Sequence, residues 1–233
     1  MKIGFITDLH DSPKTMEWLA YAAEQYDLSI VGGDVGSIGS MDEILEFAKA
    51  SPKPVIITPG NHDLPLANLW SGGNLLHMAT TKVGRYTIGG IGGSLPVQGS
   101  PMEFDETEFL QMTMNLGYVD ILVVHQPPRG TKCSMAYDVT AETSLTDIGS
   151  VAIRKYIEDM QPRLVLTGHV HESPAVDAIG DTVVVNPGTF LSFGYAEVDI
   201  TPSKVRAKIL NMTGRKPLTS SALITKRKPI VPT

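Results

Sequence analysis

Cysteine occurs once in this chain, at Cys133. A single thiol excludes an internal disulfide framework and a cysteine-based zinc cluster. Long apolar runs are also missing, and none approaches the roughly 18–20 residues that a membrane span needs. Met1-Lys2-Ile3-Gly4-Phe5 runs straight on to Asp8, which leaves no room for the apolar stretch of a signal peptide. The expected compartment is therefore the cytoplasm, with no membrane as partner. Acidic residues stop at Asp199, after which eight basic residues follow between Lys204 and Lys228. The body up to residue 203 holds 11 basic against 25 acidic residues, a net charge of −14. Such a body argues against nucleic acid as a partner, because phosphate backbones need clustered Lys and Arg.

What is present is a globular composition. Hydrophobic residues make up 42% and charged residues 19% of 233, enough for a sizeable core. Apolar runs at 2–7, 28–32, 55–58, 121–124 and 163–167 alternate with stretches of helical spacing. One such stretch is Met16, Leu19, Ala20, Ala23 and Tyr26. This alternation implies parallel strands joined by helical crossovers. Helices are expected at 16–26, 41–50, 103–116 and 149–160. Ser40 is expected to cap the second, with Glu43 as its capping-box partner. Residues 83–92 and 174–210 suit antiparallel strands. No internal repeat or clear linker interrupts the chain, so one domain is expected over residues 1–210. A basic tail follows over residues 211–233.

The chemistry lies where the apolar runs stop. IGFIT is followed by Asp8 and His10, LSIVGG by Asp34, and VIITPG by Asn61 and His62. DILVV is followed by His125, and RLVLTG by His169 and His171. Five of the six histidines sit at these ends; the sixth, His77, is read as a surface or loop residue. Taken singly, each of these residues has a plain explanation as a cap or turn residue. Jointly, five coincidences at one structural position are a poor account, since sites in open α/β sheets form beyond the carboxyl ends of the strands. Oxygen and imidazole donors without thiolate suit Mn, Fe, Zn, Co or Ni. Seven donors are too many for one ion and suit two ions sharing a carboxylate. Such a pair, about 3.5–4 Å apart, holds a bridging hydroxide and clamps a phosphoryl oxygen.

In this order the motifs resemble the calcineurin-like metallophosphoesterase superfamily: D-x-H, GD, GNH(D/E), a lone His and GHxH. They stand here as Asp8-Leu9-His10, Gly33-Asp34, Gly60-Asn61-His62-Asp63, His125 and Gly168-His169-Val170-His171. The resemblance covers residues 1–200. It implies a four-layer αββα sandwich, two packed mixed β-sheets flanked by helices. It also implies that one ion takes Asp8, His10 and His171, and the other Asn61, His125 and His169, with Asp34 bridging. His62 would then lie by the substrate as acid or phosphate contact, oriented by Asp63. His125-Gln126-Pro127-Pro128 and the run from His171-Glu172-Ser173 to Asn186-Pro187-Gly188 point to the small prokaryotic phosphoesterases of the superfamily. The Ser/Thr protein phosphatases carry GDxxDRG and GNHE; Gly33 to Gly39 lacks that arginine and residue 63 is Asp, so a protein phosphatase role is disfavoured.

The expected function is hydrolysis of a phosphodiester or nucleotide-type ester at a dinuclear centre, with Mn the first choice of metal and His62 as acid. The alternative is a phosphomonoesterase acting on a small phosphorylated metabolite. A nuclease would need a basic groove, and a binding module without catalysis would be expected to have lost ligands. Arg129, in the long loop 126–147, is a candidate grip for a substrate phosphate. Gly89-Gly90-Ile91-Gly92-Gly93 lacks the Lys-Ser/Thr of a Walker loop and is read as close packing or a bulge. Cys133 has no context for a nucleophile. The basic tail is expected to dock on the acidic body or on a neighbouring subunit, giving a homo-oligomer.

Overall fold

A computed structural model describes residues 1–63, 71–72, 74–97, 99–137, 144–213 and 225–226. The first half holds β1 (Lys2–Ile6), α1 (Thr15–Gln25), β2 (Leu28–Val31), α2 (Ile38–Ala50) and β3 (Val55–Ile57). Short strands β4 (Ser71–Gly72) and β5 (Leu75–Leu76) follow, then β6 (Ala79–Val83), β7 (Tyr86–Ile91) and α3 (Glu106–Leu116). Next come β8 (Ile121–Val124), β9 (Met135–Tyr137), β10 (Leu145–Asp147), α4 (Val151–Met160) and β11 (Leu164–Leu166). The last strands are β12 (Ala175–Ile179), β13 (Thr182–Asn186), β14 (Gly194–Thr201), β15 (Lys204–Asn211) and β16 (Thr225–Lys226).

Two mixed sheets result. The larger has the order β16-β15-β14-β1-β2-β3-β5-β4, and the smaller β12-β13-β11-β8-β7-β6. At the centre of each, the strands run parallel: β1, β2 and β3 in one, β7, β8, β11 and β13 in the other. Along these strands both faces are apolar, as a sheet covered on both sides requires. Phe5 and Ile30 point between the sheets, and Ile121 and Val123 meet them from the other side. Their chain neighbours Ile6 and Val31 face the other way, onto Trp18, Leu19 and Ile44 of α1 and α2. Leu122 and Val124 likewise face Phe109, Ile153 and Ile157 of α3 and α4. The αββα sandwich expected from the resemblance is thus the observed fold. Each fully buried side chain of this size contributes about 1.5–3 kcal/mol.

Some local expectations need correction. Helix α2 begins at Ile38, and its cap is Ser37, whose side chain accepts from the Ser40 amide. Asp11 secures that turn by accepting from the Ser37 amide and from the hydroxyls of Ser37 and Ser40. Helix α3 starts at Glu106, where Asp105 and Glu108 form a reciprocal capping box, and ends at Gly117 with a φ of 67°. The region 174–210 is not wholly antiparallel, because β13 pairs parallel with β11. The hairpin expected over 83–92 is β6–β7, and it starts earlier, at Ala79. His77 lies in the loop between β5 and β6 as expected and is half-buried there: its ring stacks on Phe104, and its Nδ1 accepts from the Gly92 amide. Most of the tail 211–233 lies outside the described residues; Thr225–Lys226 pair with β15 at the sheet edge. Among the described residues no helix is long and apolar enough to cross a membrane.

Candidate metal centre

The carboxyl ends of β1, β2, β3, β8 and β11 meet at one place, and the exits of β1, β2 and β11 share an unusual backbone. Asp8, His10, Asp34 and His169 all have positive φ, at 54°, 43°, 49° and 67°. Left-handed backbone in a non-glycine residue costs about 1–2 kcal/mol. Its concentration here lets these three strands turn sharply while their last side chains stay aimed at one point. Backbone bonds hold the turns: the His169 amide donates to both Asp8 carboxylate oxygens at 3.1 Å, and the His62 amide to Asp34 Oδ1 at 2.9 Å. The motif glycines give these carboxylates room. A Cβ at Gly60 would stand 2.0 Å from Asp34 Oδ1, and one at Gly168 2.6 Å from Asp8 Oδ2.

One group of four donors results, with two further close pairs beside it. In the group, Asp8, His10, Asp34 and His171 each offer one atom, all within 4.8 Å of one another. His10 Nε2 and His171 Nε2 are 3.2 Å apart, and His171 Nε2 is 3.2 Å from Asp8 Oδ1. Ligands held at about 2.0–2.1 Å from a common ion are spaced by about 3 Å, so the separations suit a cation. In the pairs, His125 Nε2 lies 3.4 Å from Asp34 Oδ2, and His169 Nδ1 lies 3.1 Å from Asn61 Oδ1. The Asn61 amide nitrogen donates to Ser100 Oγ, which turns its carbonyl oxygen to His169.

His125 supplies the sharpest test of metal fit. Its Nδ1 lies 2.8 Å from the Gly32 carbonyl, an acceptor only, so Nδ1 carries a proton and donates. That leaves Nε2 for the site, where it is buried and makes no well-formed hydrogen bond, with Asp34 Oδ2 3.4 Å away. Burial disfavours the imidazolium, but Asp34 and Asp8 outweigh it and push the pKa up to about 10. The two carboxylates therefore draw a cation to Nε2, a proton or a metal ion. His169 is the counterpart: burial, and then the charge of His125, hold it down at about 4. Burial works against the Asp34 carboxylate, yet His125 holds its pKa well below the usual range. A neutral imidazole beside an ionised carboxylate is the donor state a divalent ion needs, so the residues fit such ions.

The other expected residues are placed differently. His62 is exposed, with its ring centre 5.7 Å from that of His10. Asp63 is buried and accepts from the amides of Gly60, Val35 and Gly36, at 2.8, 2.9 and 3.4 Å. It ties the β2 exit to the β3 exit. Among the described residues no hydrogen bond joins it to the His62 side chain; its bonds clamp the two loops, and through them it fixes the backbone that carries His62. A cavity of about 240 Å³ opens over Asp34, Asn61, His62, His169 and His171. Its remaining wall is Val97, Ala136, Ile148, Val170 and Glu172. Arg129 is exposed and is not among the described residues that line this cavity. The wall was not legible in the sequence, apart from Glu172 as the neighbour of His171. Cys133 is buried, and burial pushes its thiol up to about 12. A larger open cavity of about 430 Å³ lies at the start of β1, beside Met1, Tyr86 and Ile200, away from the strand ends that carry the donors.

The chain is similar to known proteins in sequence and in fold. A protein of Methanocaldococcus jannaschii described as uncharacterised is 35% identical over 208 residues, covering 84% of this chain and 91% of that protein. A crystal structure from Thermus thermophilus shares the fold with a TM-score of 0.63 at 17% identity, over 90% of this chain and 98% of that one. A predicted phosphoesterase from Streptococcus pneumoniae does so with a TM-score of 0.51 at 15% identity, over 97% of each chain. Residues 1–197 match the calcineurin-like phosphoesterase superfamily domain. With that match over most of its length and an Asp/His cluster suited to divalent metal, the chain belongs to the calcineurin-like phosphoesterase superfamily.

Proposed function

We propose that this chain is a dinuclear, metal-dependent phosphoesterase acting on a phosphodiester or nucleotide-type ester, with a small phosphomonoester as the alternative. The observation that carries the reading is Asp34, whose Oδ2 faces His125 Nε2 at 3.4 Å and His10 Nε2 at 3.8 Å. One carboxylate thus stands between two donor sets. Two divalent ions held there, manganese being the first choice, supply a water of lowered pKa and offset charge developing on the phosphoryl oxygens.

The chain's own residues do the rest. Asn61 offers an oxygen donor without adding charge, aimed by Ser100. Asp63 locks the loop from which His62 projects. His62 stands exposed at the cavity and donates a proton to the departing ester oxygen. Val97, Ala136, Ile148 and Val170 give the cavity an apolar side on which an organic ester group rests. The net charge of −14 up to residue 203 speaks against a nuclease. All seven donors are present, which speaks against a binding module that has dispensed with metal.

Elemental analysis of the purified protein, paired with hydrolysis of an aryl phosphodiester and an aryl phosphomonoester before and after chelation, tests this. About two ions per chain are expected, with hydrolysis lost on chelation and restored by manganese. One well-occupied ion with the second set empty under metal excess overturns the dinuclear claim. Two bound ions without hydrolysis of either ester overturn the enzymatic one.

A further inference from the structure

The cavity wall is unusual for a phosphate site in having no cation. Among the described residues that line it there is no Lys or Arg. At the rim stands a further acid, Glu172, next to His171. It is exposed but not loose: its Oε1 accepts from the Tyr137 amide at 2.9 Å. The next residue, Ser173, donates its hydroxyl to the Met135 carbonyl. The segment that carries His169 and His171 therefore pins strand β9, and Ala136 between those two bonds lines the cavity.

Charge then distinguishes substrates. A phosphomonoester carries about −1.5 to −2 near pH 7, from a second pKa of about 6. A phosphodiester carries a single negative charge and presents a second organic group. We propose that Glu172 sets the substrate class of this site: its carboxylate, held at a rim whose described residues include no Lys or Arg, disfavours dianionic monoesters and favours monoanionic diesters whose second ester group rests on Val97, Ala136, Ile148 and Val170. This rests on the phosphoesterase reading above. Glu172 acts by charge and by holding β9. The two effects separate, because a glutamine keeps the acceptor for the Tyr137 amide while losing the charge. An exposed charge is screened over about 10 Å at 0.1 M salt, so the discrimination belongs to low ionic strength.

The test uses manganese-loaded protein, with bis(4-nitrophenyl) phosphate as diester and 4-nitrophenyl phosphate as monoester. Glu172→Gln is expected to raise the monoester-to-diester ratio of kcat/KM about 3- to 5-fold at low salt, the size of an exposed charge effect. In the wild type the ratio should climb with added salt towards that of the variant, whose own ratio stays flat. Glu172→Ala, which also frees β9, should raise KM for both esters. Glu46→Gln, which removes a paired carboxylate on α2, should leave the ratio unchanged. An unchanged ratio in Glu172→Gln, or an equal shift in Glu46→Gln, overturns the assignment. If two ions bind and neither ester is hydrolysed, the phosphoesterase reading fails by itself. The charge assignment is then read from calorimetric binding of dimethyl phosphate against inorganic phosphate. There Glu172→Gln should favour inorganic phosphate by the same factor, and no change overturns it.

Discussion

His62 and Asn61 are adjacent in the chain, and in the proposed function they divide the chemistry between them. The Asn61 side chain is nearly buried, with its oxygen towards His169 and its nitrogen on Ser100. His62 turns outward, while its amide holds Asp34. One is suited to ligation and the other to meeting substrate. A positioned general acid is typically worth about 10²–10⁴-fold in rate, so His62→Ala should lower turnover by about that factor with both ions retained. The penalty should shrink for aryl esters with acidic leaving groups, which need little protonation. Asn61→Ala should weaken one ion and recover in part under excess metal. Metal content beside a leaving-group series checks both. Loss of an ion in His62→Ala, or a penalty blind to the leaving group, contradicts the division of roles.

Among the elements, β14 joins the central parallel strands to the antiparallel edge. Its Glu197 bridges both neighbours, with Lys2 of β1 at 3.1 Å and Lys208 of β15 at 2.5 Å. Burial alone would raise the Glu197 pKa, but the hydrogen bonds from Lys208 and Lys2 outweigh it and hold the carboxyl below its ordinary value of 4.5. A carboxylate with a depressed folded-state pKa stabilises the fold above its unfolded value, and that contribution disappears as pH falls through the folded value. Glu197→Gln should therefore be less stable than wild type at neutral pH. The gap should narrow below about pH 4.5. Urea midpoints measured from pH 7 down to pH 3 check this; a gap constant with pH would mean that packing, not charge, is lost. Helix α4 shows the same economy of contact between elements. Glu106 from the start of α3 accepts from the amides of Val151 and Ala152 and from the Ser150 hydroxyl, so one helix caps the next.

At the scale of the whole molecule, the site lies where two sheets with separate helix layers present their strand ends together. β1, β2 and β3 bring Asp8, His10, Asp34, Asn61 and His62 from one sheet. β8 and β11 bring His125, His169 and His171 from the other. The core between the sheets therefore sets the register of the ligands, as well as the stability of the fold. The basic tail differs from this body in charge. Residues 211–233 carry five basic and no acidic residues, and β16 extends the larger sheet beyond β15. Deleting residues 212–233 should lower thermal stability or alter the association state, with turnover per folded subunit preserved. Thermal melts, light scattering and turnover normalised to metal content measure this. A collapse of turnover with metals and assembly unchanged would place the tail in the site.

Much of this protein was legible before any coordinates. Apolar runs that stop at Asp8, Asp34, Asn61, His125 and His169 announce parallel strands, because strands buried on both faces admit only apolar residues and must end where polar ones begin. The metal-binding residue types follow directly from that punctuation. The caps were less legible, because Ser37 and Ser40 are equally good N-caps and only the bond to Asp11 on a distant loop selects the first. The clamp role of Asp63 was hidden for the same reason: the amides it accepts from belong partly to another strand exit, 27 and 28 residues back. Residue identity determined which atoms are able to bind a metal ion. Only the packing of the two sheets, and the left-handed turns at Asp8, His10, Asp34 and His169, decided that those atoms converge. It also decided that Glu172 reaches the cavity, since side chains distant in sequence meet only where the tertiary structure places their backbones.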